Sequence, residues 1–206
     1  VARELHIFDF DGTLFRSPDA PPWWPDSWII SPASLGRPCV PDKPGPDWWD
    51  MAVVGAAKAS CSDPDVYAVM LTGRPDGKAD FRWRIPELLG QAGLRFAEVR
   101  LNPGGDTDTF KARAVVEMLR RVPGVKAVRM WDDDLKNLAR VARVCQRLGL
   151  EFFPTRGSGA RHAISCQPED VRDLIRQGWL SAKYEKYLRE DSHRVAVRWV
   201  AAKAEG

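Results

Sequence analysis

Two aspartates one residue apart, Asp9 and Asp11, follow the short apolar run Leu5–Phe8 and open the string Asp9-Phe10-Asp11-Gly12-Thr13-Leu14. Further along, Thr72 ends a second apolar run in Leu71-Thr72-Gly73-Arg74, Lys111 stands in Thr109-Phe110-Lys111, and Asp132-Asp133-Asp134 follows Trp131. Carboxylates that converge on one point repel one another unless a cation sits among them. A small set of hard oxygen ligands, leaving room for water and substrate, suits Mg²⁺. An aspartate can attack phosphorus and become an aspartyl-phosphate. A lysine then offsets the negative charge, and a threonine hydroxyl bonds a phosphoryl oxygen. Taken singly, each residue has a plainer reading: a strand-end carboxylate as a helix cap, Thr72 as a turn residue, Asp134 as the N-cap of a helix from Leu135.

Grouping these residues requires elements that deliver them to one edge. Leu5–Phe8, Val66–Leu71, Phe96–Leu101 and Val125–Trp131 read as strands, with a short fifth over Glu151–Thr155. Between them, helical spacing is predicted from Asp47 as N-cap, over 78–92 with an interruption at Pro86, from Thr109 as a cap, and over 135–148 with Gly149 as its stop. Strand–helix alternation of this kind predicts an α/β parallel sheet with helices on both faces. Its functional residues belong at the carboxyl ends of the strands, where all four motifs fall.

Order and wording resemble the haloacid dehalogenase (HAD) superfamily of Mg²⁺-dependent phosphohydrolases. The four motifs stand in that family's order across about residues 5–150. A response-regulator receiver uses similar groups, but in a different order. The resemblance implies Asp9 as nucleophile and Asp11 as general acid/base, with Asp11 also facing the metal through its main-chain carbonyl. It implies Thr72 and Lys111 as holders of the phosphoryl group. Asp133 becomes the third metal ligand, and Asp132 a second ligand or a support for Lys111; the run of three aspartates leaves that register open by one residue. An acid at position 11 favours phosphoryl transfer over dehalogenation, because a carbon–halogen leaving group needs no proton.

The local wording is also similar to the HAD domains of Swiss Army Knife RNA-repair-like proteins. It shares an early DFDGTLF, a Pro- and Trp-rich stretch leading to a WW pair, LTGR, LNP followed by DTFK, and an acidic run after Trp131. Those domains often carry EDR and a His where this chain has Asp132-Asp133-Asp134 and Asn137. The implied reaction is removal of a terminal phosphate from a nucleic acid, as in the phosphatase half of polynucleotide kinase–phosphatase. A small-molecule phosphatase of the same superfamily is the alternative.

The 206 residues carry 31 Lys and Arg against 28 Asp and Glu, a mildly basic balance that permits a nucleic-acid partner without demanding one. Residues 1–50 are acidic, with four basic against eight acidic side chains, while residues 74–143 are basic, with fifteen against ten. The apolar runs are too short for a membrane span, which needs roughly 20 residues. The four cysteines lack metal-site spacing. Together with the early acidic residues these features predict a cytoplasmic protein with reduced thiols.

Residues 16–46 hold nine prolines with Trp23, Trp24 and Trp28, and are expected to form an ordered flap without regular structure. The stretches between motifs, about 58 residues from Thr13 to Thr72 and about 38 from there to Lys111, are too short for a full cap domain. The expected architecture is therefore an essentially capless Rossmann-like HAD core over 1–156, with the flap as an insertion and a helical extension over 157–206. Gly157-Ser158-Gly159 reads as a hinge into that extension. The extension is expected to dock on the core, with a nucleic-acid contact or a partner protein or domain as competing readings. Gly73, Arg74, Trp23 and Trp24 are expected at the substrate, the tryptophans by stacking on bases. Of the adjacent pair Trp48 and Trp49, a helix would turn at most one toward substrate.

Overall fold

The computed structural model describes residues 2–22, 24, 27–163 and 170–179. Strands β1 (Glu4–Phe8), β2 (Val66–Pro75), β3 (Glu98–Asn102), β4 (Ala127–Asp132) and β5 (Glu151–Arg156) form one parallel sheet in the order β3-β2-β1-β4-β5. The helices are α1 (Met51–Ser62), α2 (Ala79–Gln91), α3 (Thr107–Arg121), α4 (Leu135–Leu148) and α5 (Val171–Arg176). This is the expected α/β Rossmann-like architecture. Leu5, Ile7, Val69, Leu71, Val128 and Met130 point to one face and pack against Val115 and Met118 of α3 and Leu138 and Val141 of α4. Alternate residues of β1 point the other way, where His6 Nδ1 lies 2.8 Å from Ser60 Oγ of α1.

Register explains why the strand-end residues meet. Phe8 pairs with Met70 on one side and with Trp131 on the other. Asp9 and Asp132 are each the next residue, and the Asp9 amide donates to the Trp131 carbonyl at 2.9 Å. Thr72 stands two residues beyond Met70 on β2. Phe8 and Trp131, the residues before Asp9 and Asp132, stack with centroids 4.3 Å apart and tie the two strand ends together.

Several helix starts differ from the expected ones. The segment from Pro46 to Trp48 is a single 3-10 turn, and α1 begins only at Met51 with Asp50 accepting from the Val53 amide at 3.2 Å. Asp50 lies nearer the apolar helical run than Asp47 and takes the cap. Because Trp48 and Trp49 precede the helix, helical divergence does not apply to them. Both are buried, and both pack on Phe15. Helix α3 begins at Thr107, so Thr109 is inside its first turn. Helix α2 continues through Pro86. Asp134 does cap α4, accepting from the Lys136 amide, and Gly149 ends it in the left-handed conformation at φ 67°.

The chain divides into two compact units: one built from residues of Val1–Arg16 and Gly45–Arg161, the other from described residues of Ser17–Pro44 and His162–Gly206. In the second, Trp24, Trp28, Ala33 and Cys39 share an apolar cluster with Leu174 of α5. Trp24 meets Trp28 edge to face at 4.9 Å, and the Trp28 indole donates to the Pro18 carbonyl at 2.7 Å. Among the described residues of Ser17–Pro44 there is no strand or α-helix, as the prolines require. Trp23, Cys166, Tyr184, Tyr187 and Trp199 lie outside the described residues. No helix among the described residues is long and apolar enough to cross a membrane.

Candidate active site

Asp9 leaves β1 buried at the carboxyl edge of the sheet. Its Oδ1 accepts from Lys111 Nζ at 2.6 Å and its Oδ2 from Thr13 Oγ1 at 3.2 Å. The same ammonium donates to Asp132 Oδ2 at 2.6 Å. Lys111 is carried there by α3, whose apolar face packs on the sheet; its side chain is 1 % exposed. Asp132 is further held by the Asp134 amide and by Asn137 Nδ2, both 2.9 Å from Oδ1. Asn137 thus supports an acid of the site from within α4, and its own buried Oδ1 has no hydrogen-bond partner among the described residues.

One ligand oxygen from each of Asp9, Asp132 and Asp133 lies within 4.8 Å of the others. Burial pushes the Asp9 carboxyl up to about 8, opposed by Lys111 and reinforced by Asp132 and Asp11. Burial also raises Asp133, with Arg161 opposing. For Lys111, burial works against the charged form, but the charges and hydrogen bonds of Asp9 and Asp132 outweigh it and hold the ammonium above its ordinary value. The Lys111 ammonium and the Arg161 guanidinium beside Asp133 set two positive charges against three carboxyl groups. The set is all hard oxygen, partly buried and short of positive charge, which fits a divalent cation such as Mg²⁺.

Asp11 is turned to another partner. Its carboxylate accepts from Arg74 Nε at 3.1 and 3.0 Å and from Arg74 Nη2 at 2.7 Å, and from Thr72 Oγ1 at 3.5 Å. Arg74 was expected to face substrate. Its side chain is instead 0 % exposed, spent on Asp11 and lying over the Phe81 ring at 4.9 Å. Thr72 is fully buried, and its hydroxyl also accepts from the Arg74 amide at 3.2 Å. Gly73 is needed for close packing, since a Cβ there would stand 2.7 Å from Thr107 Oγ1 at the start of α3. Trp24 is 1 % exposed in the apolar cluster of the second unit, so it offers no stacking face; Trp23 lies outside the described residues. Arg82 and Arg84 of α2 pair with Asp76 and Glu87.

The segment after β5 contributes more than a hinge. The Gly157 amide donates to the Asp132 carbonyl at 2.9 Å, and the Gly159 amide to the Gly12 carbonyl at 2.9 Å. A Cβ at Gly157 would lie 2.7 Å from Thr13 Oγ1, and one at Gly12 would lie 2.6 Å from Asp133 Oδ2. Gly12 also has φ 74°, which a side chain rarely adopts. Arg161 Nη2 then comes to 3.4 Å from Asp133 Oδ2. Nothing in the wording around Arg161 points to the site. The signal is topological: β5 pairs with β4 through Asp132 and Arg156, so the chain must leave beside the acidic run.

A parallel sheet of this order, with an acid pair after its first strand and a lysine bridging to an acid after its fourth, fits a domain of the HAD superfamily. Residues 15–158 match the family described as HAD domain family 1 in Swiss Army Knife RNA repair proteins, and the chain belongs to that family. Among solved structures it is similar to a chain of a Pnkp1/Rnl/Hen1 complex (17 % identity, TM-score 0.49), covering 75 % of this chain and 46 % of that one. It thus spans less than half the length of that relative. It is also similar to the Legionella pneumophila effector Ceg4 (15 % identity, TM-score 0.49), covering 84 % of this chain and 95 % of that one. The HAD domain of the Legionella pneumophila effector Lem4 matches at 14 % identity and TM-score 0.42, covering 85 % and 94 %.

Proposed function

We propose that this chain is a Mg²⁺-dependent phosphomonoesterase that removes a terminal phosphate from a nucleic acid or nucleotide through an aspartyl-phosphate on Asp9. The observation that carries the reading is the contact of Lys111 Nζ with Asp9 Oδ1 at 2.6 Å, beside Asp132 and Asp133. A carboxylate that attacks a phosphate monoester meets like charge, and a fixed, buried ammonium offsets it where it develops.

In the first step an Asp9 oxygen forms a bond to phosphorus, the ester P–O bond breaks, and Asp11 gives its proton to the departing oxygen. In the second, water attacks the same phosphorus and Asp11 takes the water's proton. The Asp9–phosphorus bond breaks, which frees inorganic phosphate and restores the carboxylate. Thr72 and Lys111 hold the phosphoryl oxygens through both steps. Arg74 is a positioning residue that fixes where the Asp11 carboxylate sits. Mg²⁺ held by Asp9 and Asp133, with Asp132 and the Asp11 main-chain carbonyl as further donors, would supply Lewis-acid stabilisation of the transferring oxygens. The nucleic-acid substrate is supported by the family's occurrence in RNA repair proteins.

Phosphate release with Mg²⁺ from matched oligonucleotides bearing a 3′ or a 5′ phosphate, beside p-nitrophenyl phosphate, tests this reading. Preference for one oligonucleotide end is expected. Release from p-nitrophenyl phosphate alone would discard the nucleic-acid substrate and leave a small-molecule phosphatase.

A further inference from the structure

The outer faces of α3 and α4 meet in a groove of about 710 Å³ that the catalytic account does not use. On α3 its lining recurs at helical spacing, from Thr109 through Arg113 and Val116 to Arg120; on α4 it follows Arg140, Arg143, Val144 and Arg147. Glu117 is the acid that lines it, and Glu117 is engaged by Arg100 at 2.7 Å. Arg140 is tied to the first turn of α3, with Nη2 2.8 Å from Thr109 Oγ1 and Nε 3.6 Å from Asp108. Arg113, Arg120 and Arg143 are exposed and have no ion-pair partner among the described residues. Like charges one helical turn apart destabilise a helix, and Arg140, Arg143 and Arg147 stand at that spacing on α4, while on α3 Glu117 is the one acid between Arg113 and Arg120.

We infer that this groove binds the phosphodiester backbone of the polynucleotide whose terminal phosphate enters the active site. The inference rests on the nucleic-acid reading of that site. Two observations join the places. Helix α3 carries Lys111 inward and the groove arginines outward, and its first residue, Thr107, packs against Gly73 beside Thr72. The groove therefore starts at the rim of the site and follows α3 away from it for about 16 Å, from the 1.5 Å rise over Thr109 to Arg120. That length matches a few phosphates of one strand at roughly 3.4 Å each. Guanidinium groups suit the occupant, since each can grip phosphate oxygens with two parallel N–H bonds. The floor of Ala112, Val116 and Val144 offers no acid to oppose it.

The test uses the full chain and the variant Arg113→Gln/Arg120→Gln/Arg143→Gln, which keeps helix propensity, with Arg95→Ala as a surface control and circular dichroism as the fold check. Binding of a fluorescein-labelled single-stranded RNA is measured across a salt series. The slope of log affinity against log salt should flatten by about 2 in the variant, at about 0.7 per lost contact. The ratio of kcat/KM for the phosphorylated RNA to that for p-nitrophenyl phosphate should fall at least tenfold through KM, and Arg95→Ala should move neither. A wild-type slope and ratio in the triple variant, with RNA still turned over, would overturn the groove and leave the substrate reading standing. Wild-type protein that hydrolyses p-nitrophenyl phosphate but neither binds nor processes RNA would overturn both. Binding of an acidic peptide in the groove, with RNA excluded, would also overturn it.

Discussion

The Arg74 guanidinium grips both carboxylate oxygens of Asp11, with Nη2 2.7 Å from Oδ1 and Nε 3.0 Å from Oδ2, and is itself fully enclosed. Arg74 thus holds Asp11, the proposed acid/base residue, from behind. Removing it leaves a largely buried carboxylate without its counter-charge, a change that costs on the order of 3–5 kcal/mol. Arg74→Ala should lower unfolding free energy by about that amount, read from the denaturant midpoint. Arg74→Lys, which supplies charge without the two-pronged geometry, should recover part of it. An unchanged midpoint in Arg74→Ala would contradict the buried pair.

Lys111 bridges Asp9 and Asp132 at 2.6 Å each. Lys111→Ala should lower kcat with Mg²⁺ by at least about two orders of magnitude, the scale of one preorganised electrostatic group. A near-normal rate would mean that another cation holds the transferring group.

Gly157 is enclosed by Thr13 Oγ1, the Asp133 amide and the Gly12 carbonyl. A methyl group there must push the Thr13 hydroxyl, which donates to Asp9 Oδ2. Gly157→Ala should therefore destabilise by about 1–3 kcal/mol, as overpacking does, and slow turnover as well. Thermal unfolding and steady-state rates check the two effects separately; wild-type values in both would show that the loop yields freely.

Glu98 joins β3 to α3. Burial pushes its carboxyl up, but hydrogen bonds and charges from Arg100 and Arg121 outweigh this and hold it below the ordinary glutamate value. A carboxyl lowered on folding contributes stability that is present above its unfolded value and lost as pH falls through the folded one. Stability should thus decline below about pH 4.3, the unperturbed glutamate value. Glu98→Gln should flatten that acid limb in urea titrations at successive pH values. An acid limb identical in wild type and variant would contradict it.

The four motifs and the central strands β1, β2 and β4 are legible in the sequence because buried parallel strands are largely apolar and their chemistry begins where the apolar run stops, as at Phe8–Asp9 and Trp131–Asp132. Helix starts were less legible where several cap-forming residues crowd together: Asp47 and Asp50 both suit an N-cap, and only the position of the apolar run decides. The fate of Trp24 depended on Leu174, distant in sequence, whose side chain packs in its cluster. The sequence places Arg74 at the substrate because it follows the Thr72 motif. Its partner is an acid 63 positions away, which spacing alone does not reveal. Arg161 was hidden for the same reason, since its place follows from the pairing of β5 with β4.

The central claim is covalent catalysis by Asp9. Wild-type protein mixed with Mg²⁺ and a phosphorylated oligonucleotide, quenched in acid during turnover and digested, should yield the peptide containing Asp9 with one added phosphoryl group. Asp9→Asn should yield no such adduct and no phosphate release, with its fold intact by circular dichroism. Turnover at the wild-type rate in Asp9→Asn, or an adduct mapped to another residue, would contradict the account.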